Sequence, residues 1–201
     1  MTEHAEPASF AFDAESNARI EKILTKYPAG KQASAVLPLL WIAQRQMGRV
    51  TGSAWVPVKA MDEIARILSM APIRVYEVCT FYLMFNTAPV GRFHLQLCTT
   101  TPCWLRGSDD VVAACKKHIH PQPQTISSDG KFSWMEVECL GACVNAPMLQ
   151  IGKDFYEDLD GPKTEQLLTD IRAGKKPKVG PQNGRRASEP EGGPTTLKET
   201  V

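Results

Sequence analysis

Two pairs of cysteines constrain this chain more than any other feature. Cys98 and Cys103 have four residues between them, Cys139 and Cys143 have three, and thirty-five residues separate the pairs. Each pair falls where a strand is expected to end and a loop to begin. Thr99, Thr100, Thr101 and Pro102 fill the first loop; Leu140, Gly141 and Ala142 fill the second. Soft thiolates on short loops over a rigid frame select iron–sulfur centres, zinc or Cu(I). Two irons bridged by two sulfides need two thiolates each, and small residues with a glycine let backbone N–H groups approach the sulfurs. Structural zinc also uses cysteine pairs two to four residues apart, so spacing leaves both metals open. The run is not the plant-type Cys-x4-Cys-x2-Cys, and a thioredoxin-type Cys-x-x-Cys is absent.

The frame is legible from hydrophobic period. Residues 1–15 are polar and contain Pro7, which predicts a flexible arm. Over 16–90 the pattern is helical: Ile20, Ile23 and Leu24 recur at helical spacing, and Val36, Leu37, Leu40 and Ala43 or Met47 do so in 34–47, with Gly48 able to end that helix. Met61, Ile64, Ile67 and Leu68 make a third stripe. Pro72 suits the first turn of a fourth helix, with Val75, Val78, Cys79, Tyr82 and Leu83 as its buried face. Trp41, Tyr76, Phe81 and Tyr82 are expected to fill the core of this bundle, any exposed member being an anchor for a partner.

At Arg92 the period changes. Phe93, Leu95 and Leu97 alternate with His94 and Gln96, a half-buried strand ending at Cys98 with His94 on its surface side. Next come a helix capped by Ser108 with Val111, Cys115 and Ile119 inward, and a strand over 132–138. Strands near Met148–Ile151 and Phe155-Tyr156 precede a helix opened by Pro162 and closed by Gly174. The expected class is α+β: a helical domain over 16–90, then an αβ domain with a mixed sheet over 91–173. Residues 174–201 hold five Gly, four Pro and no aromatic residue, which predicts an extended or disordered tail, or an arm that orders on a partner through Lys175, Lys176, Lys178, Arg185 and Arg186. Cys79 and Cys115 fall on apolar helix faces and are expected to be core; His118 and His120, at a helix end, are not expected to bind metal.

Composition removes several function classes. Hydrophobic residues at 43% and charged residues at 22% fit a packed globular chain. A net charge of +1 gives no reason to expect nucleic acid or an anionic membrane as partner. No apolar run reaches the roughly 20 residues of a membrane span. The acidic start resembles neither a secretory nor a mitochondrial leader, so the chain is expected in a bacterial cytoplasm. No Gly-x-Gly-x-x-Gly follows a strand and no Walker loop occurs, so no nucleotide-binding site is expected on this chain.

Several runs carry a family resemblance over residues 17–173: Pro72-Ile73-Arg74-Val75-Tyr76-Glu77-Val78, Thr80-Phe81-Tyr82, Thr101-Pro102-Cys103 and, most specifically, Val137-Glu138-Cys139-Leu140-Gly141-Ala142-Cys143-Val144-Asn145-Ala146-Pro147-Met148. The chain resembles the thioredoxin-like [2Fe–2S] ferredoxin subunit of NADH:quinone oxidoreductase, respiratory complex I. That resemblance implies a thioredoxin-like cluster domain and one [2Fe–2S] cluster on Cys98, Cys103, Cys139 and Cys143, with no catalytic residue. It implies a flavin subunit that binds NADH and FMN, other peripheral-arm subunits, and a place at the cytoplasmic face of the inner membrane, or on the matrix side in an organelle. On this view the chain is not active alone. Related subunits serve NAD-linked hydrogenases and formate dehydrogenases, one alternative; a zinc-stabilised interaction module is the other.

Overall fold

A computed structural model describes residues 4–190, 192–193 and 195–196. The chain divides into two compact units, Met1–Arg92 and Phe93–Val201. Among the described residues no helix is long and apolar enough to cross a membrane.

The first unit is helical: α1 (Ala14–Leu24), a 3-10 turn at Gln32–Ala35, α2 (Val36–Thr51), α3 (Val58–Leu68) and α4 (Pro72–Phe81). Asp13 caps α1, its carboxylate accepting the Ser16 N–H at 2.8 Å. Leu39, Leu40, Ile64 and Val75 are fully enclosed at the centre. Two buried glutamines on α2 tie down chain that lacks helical hydrogen bonds. Gln46 accepts from the Asp13 N–H and donates to the Ala11 carbonyl, and Gln44 does the same for Asn86 and Met84. Phe10 and Phe12, within the segment read as an arm, lie against this core.

Two details differ from expectation. Gly48 does not end α2, which runs on to Thr51 and closes on the left-handed Gly52, φ +78°. Gly48 is a packing glycine, since a Cβ there would stand 3.2 Å from the Ala54 Cβ. Tyr76 and Phe81 of the fourth helix, and Tyr82 and Leu83 just past its end, do not fill the core but are exposed, Phe81 to 76%. The buried side of α4 is only Val75 and Cys79, one turn apart. Tyr76, one residue past Val75, is turned about 100° away, and Tyr82 is already in extended backbone. Trp41 is half-buried, with the Arg45 guanidinium 5.2 Å from its ring.

The second unit has β1 (Phe93–Cys98), α5 (Thr101–Leu105), α6 (Ser108–His118), β2 (Phe132–Val137), β3 (Leu149–Ile151), β4 (Asp154–Glu157), α7 (Gly161–Arg172) and β5 (Gly180–Pro181). The sheet order is β2-β1-β3-β4-β5; β1 is parallel to β2 and antiparallel to β3, so the sheet is mixed as expected. A parallel pair needs a long crossover, which α5 and α6 supply. Leu95 lies between Trp134 and Ile151, and Leu97 opposite Leu149. These residues pack with Val111, Cys115 and Ile119 of the α6 segment and Leu167, Leu168 and Ile171 of α7. Asp160 caps α7 through the Lys163 N–H, and Gly174 follows its end at φ +80°. Gly107, not Ser108, precedes α6.

His94 is not a surface residue. Its neighbour Ser133 is fully buried, its Nδ1 lies 2.8 Å from the Ser133 Oγ, and its Nε2 is enclosed. Ser133 stands opposite His94 on β2, so this side of the β1–β2 pair is enclosed as well as the apolar one. After α7 the chain returns to add β5 beside β4, and Arg185 then folds onto Asp158.

Candidate metal centre

The first cysteine pair is built by the end of β1 and the start of α5. Cys98 closes the strand, and Pro102 sits in the first turn of the short helix that carries Cys103. Both thiols are buried, 2% and 1% exposed, in a small apolar cluster with Ala146 and Met148. The Cys98 Sγ lies 3.2 Å from the Thr100 Oγ1. Burial works to raise the Cys98 thiol, but the Thr100 hydroxyl and the backbone N–H groups of Thr100 and Leu140 outweigh it and hold it below its ordinary value. The Cys103 thiol is pushed up to about 12, first by burial and then by the neighbouring Cys98 sulfur; the Met148 N–H works the other way.

The second pair follows β2. Gly141, at φ +82°, turns the loop back, and its N–H points at the Cys139 Sγ from 3.4 Å. The Cys139 and Cys143 sulfurs are 3.4 Å apart, and both residues are exposed. Two thiolates on one tetrahedral metal stand about 3.7 Å apart for metal–sulfur bonds near 2.3 Å, so this loop already holds its sulfurs near a chelating separation. Cys143 is raised by the Cys139 sulfur, by burial, and by the charge of Cys139 and then Cys98.

The loops therefore meet. The Leu140 N–H of the second reaches the Cys98 sulfur of the first, and Cys143 bears on Cys103. The sulfurs come together two by two. Among the described residues no three His, Cys, Asp or Glu side chains converge on one point as a single-ion cage. Amides of Thr100, Leu140, Gly141 and Met148 face the sulfurs, as a group carrying several negative charges requires.

The other candidates lie elsewhere. Cys79 and Cys115 are completely buried, each pushed up to about 12 by burial, as expected for core thiols. His118 lies beside Glu165, and the His120 ring accepts the Gln122 N–H. Sequence reasoning gave Thr100 no function, although a hydroxyl two residues past a thiol was the signal for it. It offers Arg185 as one of five cations by which the tail orders on a partner, not as a contact to Asp158 and the Cys143 turn of the same chain.

A family model for thioredoxin-like [2Fe-2S] ferredoxin matches residues 20–172. The chain is 48% identical over 194 residues to the mitochondrial NADH dehydrogenase [ubiquinone] flavoprotein 2 of Dictyostelium discoideum, covering 96% of this chain and 76% of that one. It is 49% identical over 164 residues to an NADH-quinone oxidoreductase subunit of Rickettsia bellii, covering 82% and 95%. Among solved structures, an air-oxidized NAD+-reducing [NiFe]-hydrogenase aligns at TM-score 0.57 and 19% identity over 70% of this chain; this chain spans 23% of it, and the likeness is one of fold. The chain belongs to the thioredoxin-like [2Fe-2S] ferredoxin family, among the members that are subunits of NADH-quinone oxidoreductase.

Proposed function

We propose that Cys98, Cys103, Cys139 and Cys143 hold one [2Fe–2S] cluster, and that the chain is the electron-transfer subunit of an NADH:quinone oxidoreductase. The observation that carries this is the pairwise approach of the four thiols under backbone N–H donors from both loops. When bound, the cluster supplies a site that takes up and returns single electrons. The chain's residues do the rest. Cys98 and Cys103 anchor the buried side, and Cys139 and Cys143 form the exposed edge that faces a redox partner. Thr100, Leu140, Gly141 and Met148 spread the charge on the sulfurs.

In this reading NADH and FMN sit on a neighbouring flavin subunit, in keeping with the lack of a dinucleotide or Walker motif in this sequence. The two relatives near half identity are named for NADH dehydrogenase and NADH-quinone oxidoreductase, which favours that complex over a hydrogenase or formate dehydrogenase. The site is then at the cytoplasmic face of the inner membrane, or the matrix side in an organelle. Purification through a tag on this chain, without oxygen, tests the assignment. A flavoprotein should co-purify, NADH oxidation should follow that flavoprotein, and the separated chain should not oxidise NADH. Co-purification of a hydrogenase or formate dehydrogenase catalytic subunit instead would place the chain in the other complex.

A further inference from the structure

The tail contains a side chain that is neither exposed nor free. The Arg185 guanidinium is 9% exposed and the Asp158 carboxylate it meets is 6% exposed. Nε and Nη2 each donate to an Asp158 oxygen at 2.7 Å, and Nη1 donates to the Glu189 carbonyl at 3.0 Å. The two N–H groups of Nη2 are shared among three acceptors, that Asp158 oxygen, the Val144 carbonyl at 2.8 Å and the Asn145 Oδ1 at 2.7 Å, so one of these bonds is three-centred. Val144 and Asn145 are the two residues that follow Cys143. Asn145, 2% exposed, further donates to Glu157 at 2.5 Å and to the Ala187 carbonyl, while its own carbonyl accepts the Asp158 N–H at 2.8 Å.

We infer that Arg185 is a positioning residue for the second thiol pair, a strap from the tail that fixes the Cys143–Asn145 turn from behind. The inference rests on the four-cysteine reading above. Cys143 is exposed, and its sulfur lies 3.4 Å from that of the equally exposed Cys139. Its place depends on the backbone that follows, and that backbone is gripped by one planar fork of donors. Lysine, with a single ammonium, has no fork to engage Asp158 and the turn in the same way. Partners that orient metal ligands typically contribute about 10- to 100-fold to metal retention.

The test uses the full chain carrying its cluster, purified without oxygen, as wild type, Arg185→Met, Arg185→Lys and a chain ended after Gly184. Bleaching of visible absorption by an iron chelator gives the rate of cluster loss, and EPR of the reduced state gives the signature of the cluster. The expectation is loss about 10- to 100-fold faster in Arg185→Met and in the shortened chain, with Arg185→Lys between, and altered g-values. Arg186→Met, next door and without these bonds, should match wild type. Equal loss rates and identical EPR in wild type and Arg185→Met would overturn the strap. Should wild type itself take up no cluster, the four-cysteine reading fails, and the strap is decided separately by hydrogen exchange. Faster exchange of the Asn145 amide in metal-free Arg185→Met supports it, and unchanged exchange refutes it.

Discussion

Burial of His94 makes the second unit sensitive to mild acid. Burial pushes this ring down to about 4 from an ordinary 6.5. The folded chain keeps the ring neutral while the unfolded chain takes up a proton as pH falls through 6.5. Stability is therefore whole above pH 6.5, declines between 6.5 and 4, and levels off below. At pH 5 the loss from this one ring is about 2 kcal/mol relative to pH 7.5, and the limiting loss is roughly 3 kcal/mol. Replacing His94 by Gln keeps a neutral polar group beside Ser133 and removes the titration. The assay is urea unfolding of the metal-free, reduced chain at pH 7.5 and 5.0, with both proteins. With a slope of about 1–3 kcal/mol per molar urea, wild type should lose about 1–2 M more of its midpoint than His94→Gln between the two pH values. Equal losses in the two proteins would show that the ring is not buried neutral, and the reasoning would fail.

Three further outcomes follow from the same structure. Thr100→Val removes the hydroxyl beside the Cys98 sulfur; the cluster should stay and its reduction potential should fall by up to about 20–60 mV, the one-electron equivalent of one hydrogen bond, read by redox titration. Cys115→Ser buries a hydroxyl where a thiol packed, so urea unfolding should show a loss of about 1–3 kcal/mol while iron content stays at the wild-type value. Gly52→Ala should cost about 1 kcal/mol, because φ +78° strains an L-residue although the space around it is open, and thermal unfolding of the helical unit reads it.

Periodic burial was the part of the fold written most plainly in the chain. Leu95 and Leu97 alternate because β1 turns every second side chain into the same core, and Ile64 and Val75 recur because their helices do. The candidate thiol pairs were legible for a similar reason: local spacing dictates which cysteines share a loop. Properties set by distant partners were hidden. Gly48 matches a helix end in sequence, and only the approach of Ala54, six residues on, makes it a packing position. His94 looked solvated because alternation reports one face of a strand and not what covers the other. Tyr76 and Phe81 looked like core because an apolar run does not say how wide a helix's buried side is. Arg185 sits in a segment whose Gly and Pro content suits disorder, and only its fit to Asp158 and the Cys143 turn shows it as an ordered contact.

The central claim is that two thiol pairs hold one binuclear cluster. Iron, acid-labile sulfide and zinc should be counted on the full chain purified without oxygen, with EPR after reduction, for wild type and Cys139→Ser. The account predicts two irons and two sulfides per wild-type chain, a rhombic signal from one unpaired electron, and loss of both in Cys139→Ser with the helical unit still folded by circular dichroism. A colourless wild-type chain holding one zinc ion would contradict it.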